Sequence, residues 1–277
     1  MSPVLASAPD ELIQKCTQGI SWWLRAIAKT FEGHNELFLS LVQRILAVNF
    51  ENDLPSDDPV GRAINHPVGQ VTEALLRWWY RQSPQDGQGL PDSVKPVFTA
   101  LCDTHTSKFR HGRVLLAAHV ISLFRVDGTW ATEHLLPLFD WQRSETEARS
   151  AWESFLWSPR LYRPLLIAIK QPMLATATHY EQLGRHADQY ADFLTFAALD
   201  FRDVFSAQEL AQATQALPIE GLQSAALAVA LALEGSGEQR HDYWDNRVRP
   251  YLKSIWPKSP IDFQKLNFQK FSSNMII

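Results

Sequence analysis

The middle of the chain carries a cysteine and three histidines that could in principle bind a metal ion. Cys102 and His105 are followed by His111, and His119 lies about two helical turns beyond it. Zinc binds thiolate and imidazole ligands, and most zinc sites are recognised by the spacing of those ligands. The spacing here matches no established zinc pattern. We therefore expect no metal ligands among these residues, and we interpret His119 as a hydrogen-bonded residue of the core or of a groove.

A His-Asp dipeptide, His241-Asp242, offers a second route to metal chemistry. Helical metal-dependent phosphohydrolases use this dipeptide with a further histidine and aspartate, and His179 or His186 and Asp262 could supply them here. Little chain follows the dipeptide, so we favour a surface helix and keep such a hydrolase as an alternative function. The sequence has no glycine-rich phosphate loop and no Gly-x-Ser-x-Gly elbow. We expect no enzyme activity and no cofactor.

The densest group of basic residues is Lys108, Arg110 and Arg113. A nucleic-acid-binding surface needs basic side chains clustered on one face. The whole chain has 26 basic and 30 acidic residues and a net charge of -4, which gives it no general attraction to phosphate backbones. We therefore interpret this group as a solvated helix start, and keep a nucleic-acid-binding helical repeat as a second alternative.

Apolar residues recur at three- and four-residue spacing along most of the chain, as is typical of amphipathic helices. Helices are predicted at 12–31, 35–48, 67–83, 92–105, 114–126, 186–201, 218–235 and 243–255, the last with a kink at Pro250. The ten tryptophans are expected to fill the space between them. No segment alternates with period two. The sequence thus predicts an all-α fold, an irregular array of antiparallel helical hairpins arranged as a HEAT-like α-solenoid or a helical bundle.

Three local patterns predict where helices begin. Ser144 with Glu147, and Ser206 with Glu209, have the spacing of a capping box, in which each side chain binds the other residue's backbone N–H. Thr129 follows a turn and is expected to cap a short helix.

The chain is predicted to form one helical domain over residues 1–277. The polar, glycine-containing segment 85–89 is the best candidate for a boundary, and would separate sub-bundles at 1–84 and 90–257. Residues 258–277 are expected to form a poorly packed tail.

Three features of the sequence bear on the compartment. Cys16 and Cys102 are the only cysteines, too few for a disulfide framework, which favours free thiols in the cytoplasm. The longest apolar run, 225–233, is less than half of the roughly 20 residues that a membrane-spanning helix requires. The N-terminus also has no pattern of a signal peptide. We expect a cytoplasmic protein outside the membrane.

Three stretches of sequence resemble stretches of a known protein family. The first is Asn65-His66-Pro67-Val68-Gly69 with Glu73-Ala74-Leu75-Leu76, and the second is Leu135-Leu136-Pro137-Leu138-Phe139-Asp140-Trp141. The third is Trp244-Asp245-Asn246-Arg247-Val248, continuing to Leu252 and Trp256-Pro257. Together they are similar to the uncharacterised helical region of bacterial sirtuin-like antiphage defence proteins. That region lies C-terminal to an NAD-consuming, sirtuin-like domain. The resemblance covers roughly residues 36–259, and its candidate positions are Asn65, His66, Glu73, Asp140, Trp141 and Arg247.

The resemblance implies a non-enzymatic recognition or regulatory module that senses a phage component or holds an effector inactive. A protein partner, either an effector domain or a phage protein, is therefore expected, and a homo-oligomer is compatible with this role. The sirtuin-like domain and its glycine-rich NAD-binding motif are not present in the sequence. NAD hydrolysis is thus not assigned to any residue here, and a truncated or split gene product would have this form.

Overall fold

The computed structural model describes residues 7–30, 35–50 and 56–258, and these residues are all-helical, without a β-strand. The all-α prediction is confirmed for this part of the chain. Within the same ranges, none of the helices is both long and apolar enough to cross a bilayer. The predicted tail, apart from residue 258, and Asp262 lie outside the described residues.

The chain divides into two compact units, residues 1–158 and 159–277. The predicted boundary at 85–89 therefore falls within the first unit. Backbone hydrogen bonds hold that segment in place: Gly87 N–H donates to the Arg125 carbonyl and Gly89 N–H to the Val126 carbonyl, both at 2.8 Å. Both glycines have left-handed φ angles, 73° and 83°, which few other residues adopt.

Asp127 joins three parts of the first unit at one carboxylate. Its side chain accepts from the backbone N–H of Trp130 at 3.0 Å and of Leu90 at 3.1 Å, and from Lys95 Nζ at 3.1 Å. Asp127, not the predicted Thr129, thus caps the short helical stretch that follows. Thr129 lies inside this stretch, which runs as Gly128–Trp130, a π-helical Ala131–Leu135 and a 3₁₀ Leu136–Phe139.

In the described part of the first unit, the longer helices are α1 Asp10–Lys15, α2 Thr17–Ile27, α3 Asn35–Ala47, α4 Pro59–Asn65, α5 Pro67–Tyr80, α6 Lys95–Cys102, α7 Arg110–Ala118, α8 Val120–Val126 and α9 Glu145–Leu156. Two predicted helices are each broken by one residue with non-helical dihedral angles, Cys16 and His119. A 3₁₀ turn, Ser107–Phe109, precedes α7.

The core of the first unit forms where α2 packs on α5 and where α4, α5 and α9 surround α7. Tryptophan fills much of this space, as predicted: Trp79, Trp130 and Trp152 are almost completely buried. The indole nitrogens find partners, since Trp152 Nε1 donates to the Phe139 carbonyl at 3.0 Å and Trp130 Nε1 to Thr99 Oγ1 at 2.8 Å.

The second unit contains α10 Arg163–Ala168, α11 Lys170–Ala175, α12 Ala187–Asp200, α13 Ala207–Ala216, α14 Ile219–Gly235, α15 Arg240–Tyr243 and α16 Arg249–Ser254. A 3₁₀ segment, Thr176–His186, leads into α12, which packs against α14. Ser206 and Glu209 form the predicted capping box of α13. The last predicted helix is interrupted by a π-helical turn, Trp244–Val248, immediately before Pro250 in the first turn of α16.

Candidate functional site

The first family-like stretch forms the corner between α4 and α5. A residue before proline avoids the helical region, and His66 accordingly has an extended conformation, φ -82° and ψ 141°. This ends α4 and lets Pro67 begin α5, where its missing N–H leaves no bond unmade. Gly69 completes the corner, because a Cβ there would overlap the carbonyl oxygen of Ala63. The sequence of this stretch therefore specifies a tight crossing of two helices.

The His66 side chain serves both as helix cap and as packing surface. Its Nδ1 accepts the backbone N–H of Val68 at 3.2 Å, and its ring stacks on that of His111, with centroids 4.0 Å apart and planes at 29°. Phe50 contacts the His66 ring edge-on at 4.8 Å. His111 is 3% exposed and lies on α7. The corner is thus held to α7 through two imidazoles.

Asn65 and Gln70 connect the corner to α2. The Asn65 carbonyl accepts from Gln18 Nε2 at 3.0 Å, and Gln70 Oε1 accepts from Ser21 Oγ at 2.8 Å. The Asn65 side chain donates to the Gly61 carbonyl at 2.8 Å, one turn earlier. Asn65 therefore acts in local structure through both its backbone and its side chain.

Glu73 is an ion-pair centre between α2 and α5. Its carboxylate binds Arg25 on α2 at 2.6 Å and also Arg77 one turn along α5, while its side chain is 16% exposed. Glu73, one of the candidate positions, thus has a structural role in joining α2 to α5.

A bidentate ion pair between Arg113 and Glu147 lies at the centre of the first unit. Arg113 Nε donates to Glu147 Oε2 at 2.8 Å and Nη2 to Oε1 at 2.7 Å, and the arginine side chain is 2% exposed. Arg113 Nη1 donates to the carbonyls of Asp103 and Thr106 at 2.7 and 3.2 Å. The pair joins α7, α9 and the loop after α6.

This ion pair changes two interpretations made from sequence. Ser144 caps α9 as predicted, its Oγ accepting the Glu147 N–H at 3.3 Å, but the Glu147 carboxylate binds Arg113, so the capping box is incomplete. Arg113 is also buried, so the interpretation of Lys108, Arg110 and Arg113 as a solvated helix start is wrong for Arg113, which cannot belong to a basic surface either. Local spacing had suggested both interpretations, and a contact between distant segments overrides them.

A cleft of about 400 Å³ lies beside Glu147. Its lining is of mixed polarity and includes Cys102, Asp103, His105, Glu133, His134 and Glu147. Burial raises the pKa of the Cys102 thiol to about 12, and nearby Arg113 offsets this in part, so the thiol stays protonated at neutral pH. A protonated thiol is a poor nucleophile and a poor metal ligand.

The residues considered for a metal site are held in separate places. His111 stacks on His66, and His119 Nδ1 lies 3.0 Å from the hydroxyl of Tyr80. Burial lowers the pKa of His119 and favours its neutral form. His119 is therefore the hydrogen-bonded residue that the sequence predicted. Across the described ranges, no three histidine, cysteine or acidic side chains are grouped to hold a metal ion.

The other candidate positions are distributed over both units. Asp140 Oδ1 accepts the Gln142 N–H at 3.0 Å, and Trp141 is 5% exposed, so both stabilise the turn before α9. Arg247 belongs to the second unit, where its Nη1 donates to the Leu199 carbonyl at 3.4 Å. Within its own unit, each of these residues thus has a local structural role.

The His-Asp dipeptide lies on the exposed helix α15. His241 is exposed, and Asp242 Oδ1 accepts from Asn246 Nδ2 at 2.7 Å. His179 Nδ1 lies 3.1 Å from the Ala175 carbonyl, and His186 is buried. The surface-helix interpretation fits this placement.

No family model, no curated protein and no solved structure matches this chain. The family resemblance therefore depends on the quoted stretches alone. Their residues have physical explanations as corners, caps and ion pairs in the structure.

The second unit has an acidic pair that sequence patterns did not reveal. Asp188 Oδ1 accepts the hydroxyls of Tyr180 and Ser224, each at 2.9 Å. Asp192 lies one turn further along α12, and burial, together with the Asp188 charge, raises its pKa to about 6. The signal in the sequence was an Asp-x-x-x-Asp spacing, which is too common to identify a site by itself.

Proposed function

We propose that this chain is a non-enzymatic recognition or regulatory module, similar to the sensor or scaffold part of sirtuin-like antiphage defence proteins. The observation that carries this proposal is the outer face of α2. Trp22 on this face is 64% exposed, although a large indole is usually buried in a single folded domain. Tryptophan is also among the residues that contribute most to protein–protein binding.

The surroundings of Trp22 suit a protein contact. The opposite face of α2 packs on α5, and Arg25 binds Glu73 there, so the helix is firmly seated. Gly19, one turn before Trp22, has open space where a side chain would point, and Lys15 and Lys29 are exposed at the two ends of the helix. A partner could therefore approach the indole closely.

The charged residues among the candidate positions support a non-enzymatic role, because their side chains are engaged in structural contacts. Glu73 and Asp140 bind neighbouring groups of their own unit, and the cleft beside Glu147 holds a protonated thiol. We further propose that the helices are stacked as antiparallel hairpins in a HEAT-like array, and that the protein acts in the cytoplasm, with an effector domain or a phage protein as its partner.

A phage challenge tests this function. Cells carry the gene with its neighbouring reading frames, and phage plating is compared between the wild type, a deletion and Trp22→Ala. We expect the deletion and Trp22→Ala to lose protection, with plating rising about tenfold or more, the effect of losing one binding hot spot. Trp157→Ala is the matched control, since Trp157 is 53% exposed and belongs to none of the three family-like stretches.

Three results would count against the proposal. The first is unchanged plating after deletion of the gene. The second is stoichiometric metal in the purified protein that is lost in His241→Ala together with nucleotide hydrolysis, which would favour the phosphohydrolase. The third is DNA binding that weakens steeply with salt, which would favour a nucleic-acid-binding repeat.

A further inference from the structure

The contact between His66 and His111 joins two titratable side chains across a helix junction. Their ring centroids are 4.0 Å apart, with His66 on the α4–α5 corner and His111 on α7. Phe50 contacts the His66 ring edge-on. Histidine is the side chain whose charge ordinarily changes between about pH 5 and 8. The junction is therefore built from side chains whose ordinary pKa lies in this range.

The hydrogen bond from Val68 fixes the protonation state of His66. Because its Nδ1 accepts the Val68 N–H, that nitrogen cannot carry a proton, and the ring is neutral with its proton on Nε2. Protonation of Nδ1 turns the acceptor into a donor. The first turn of α5 then loses its cap, and the Val68 N–H loses its partner.

The stacking adds a second cost to protonation. Two positive imidazoles at this separation repel each other, and burial of His111 disfavours its charged form. The charged groups on the helices that meet here are Arg62 on α4, Glu73 and Arg77 on α5, Arg110 and Arg113 on α7, and Glu145, Glu147, Arg149 and Glu153 on α9. Arginines outnumber glutamates in this set, and Glu73, Glu147 and Glu153 already bind arginines, so the net charge of the set is positive.

We propose that the His66–His111 pair is a pH-sensitive joint that holds the α4–α5 corner on α7 when both rings are neutral and releases it on protonation. The sign follows from the required neutral state. The contribution to stability is complete above the ordinary histidine pKa of about 6.5 and is lost as the pH falls below it. Since α2 packs on α5, the release would also loosen the helix that carries Trp22.

Hydrogen exchange on the full chain tests this joint directly. Exchange is followed by mass spectrometry at about pH 7.5 and pH 5.5, after correction for intrinsic rates, on either side of the ordinary histidine pKa. We expect peptides that cover 61–75 and 107–118 to lose about tenfold or more of their protection at the lower pH, with α14 as an internal reference. Unchanged protection of both peptides would overturn the proposal.

A substitution at His66 separates the effect of histidine protonation from the structural effect of losing the helix cap. In His66→Asn, the carboxamide oxygen still accepts from the Val68 N–H, since asparagine is a preferred N-cap, but it does not titrate. We expect this variant to keep its protection at the lower pH, whereas His241→Asn, at an exposed histidine, behaves like the wild type. An acid-induced loss in His66→Asn equal to that of the wild type would contradict the joint.

Titration of the wild type gives a measurement that does not depend on any variant. The imidazole Cε1–H shifts of His66 and His111 are followed by NMR and compared with that of His241. We expect the pair to titrate at lower pH than His241 and in coupled steps, because each charge opposes the other. Independent titration of both rings in the range of His241 would show that the pair is not a joint.

Discussion

Arg113 and Glu147 form a two-bond ion pair, at 2.8 and 2.7 Å, between α7 and α9. Arg113 also donates to the carbonyls of Asp103 and Thr106, so one guanidinium fixes three segments. Breaking a buried pair leaves the other charge without compensation, which typically costs about 3–5 kcal/mol. The pair therefore holds the first unit together strongly and is a natural place to perturb it.

We expect Arg113→Ala to lower the free energy of unfolding of the first unit by about 3 kcal/mol, the lower end of that range, because Glu147 stays buried and keeps only the longer contact with Arg110 at 3.8 Å. Urea unfolding followed by tryptophan fluorescence measures the change. Arg143→Ala is the control, since Arg143 is 67% exposed and should change stability by less than about 0.5 kcal/mol. The double substitution Arg113→Met with Glu147→Leu should recover most of the loss. A loss below about 1 kcal/mol in Arg113→Ala would contradict this role.

The acidic pair of α12, Asp188 and Asp192, predicts that the second unit becomes more stable at lower pH, which is opposite to the effect proposed for His66 and His111. Burial, followed by the Asp188 charge, raises the pKa of Asp192 to about 6, so the folded state binds this proton more tightly than the unfolded state, with its ordinary pKa near 3.9. The ionised form thus costs stability above about pH 6, and the second unit should gain stability as the pH falls from 7 to 5.

Asp192→Asn removes this cost at pH 7. We expect a gain of about 1–2 kcal/mol, reduced from the full value because the side chain is partly exposed to screening solvent. The gain should vanish near pH 4, as thermal unfolding at several pH values will show. Glu238→Gln is the control at an exposed acid of the same unit. If Asp192→Asn is no more stable than the wild type at pH 7, the pKa of Asp192 is not raised.

Two glycines of the first unit should respond in opposite ways to alanine. A Cβ at Gly69 overlaps the Ala63 carbonyl, so Gly69→Ala should destabilise the corner by about 3 kcal/mol. Gly19 has open space around its Cβ direction and lies within α2, so Gly19→Ala should stabilise by about 0.5–1 kcal/mol. Equal effects in denaturant titrations would show that close crossing of α4 and α5 does not constrain position 69.

The two thiols should differ in reactivity. Cys16 is exposed, whereas Cys102 is buried and its pKa is raised to about 12. In the folded protein at about pH 8, we expect iodoacetamide to modify Cys16 at least about a hundred times faster than Cys102, because the thiolate is the reacting form. Mass spectrometry of the peptides gives both rates. Rapid modification of Cys102 in the folded protein would mean that the thiolate form of Cys102 is stabilised.

Much of the secondary structure could be predicted from interactions between residues close together in the sequence. The apolar spacing predicted the helices, Pro67 predicted the start of α5, and the Ser206–Glu209 spacing predicted a complete capping box. These features depend on residues a few positions apart, where backbone geometry leaves few choices. The interpretation of His119 as a hydrogen-bonded residue is also confirmed, although the residue lies at the break between α7 and α8.

Contacts between distant segments explain what the sequence did not predict. Glu147 has the spacing of a capping box, yet it binds Arg113, which lies on another helix and offers two stronger, charge-assisted bonds. Segment 85–89 has the composition of a linker, yet carbonyls at the end of α8 hold it in place. The breaks at Cys16 and His119 carry no glycine or proline to mark them.

Asp127 has a consequence for how the first unit tolerates a cut chain. Its carboxylate binds Leu90, Lys95 and Trp130, which fixes the C-terminal edge of segment 85–89, while the neighbouring Arg125 binds Asp86 near the N-terminal edge at 2.8 Å. A nick in this segment would leave two pieces that still share a core. Fragments ending and starting there should therefore reassemble on mixing, which makes this turn a place to split the protein into complementing halves.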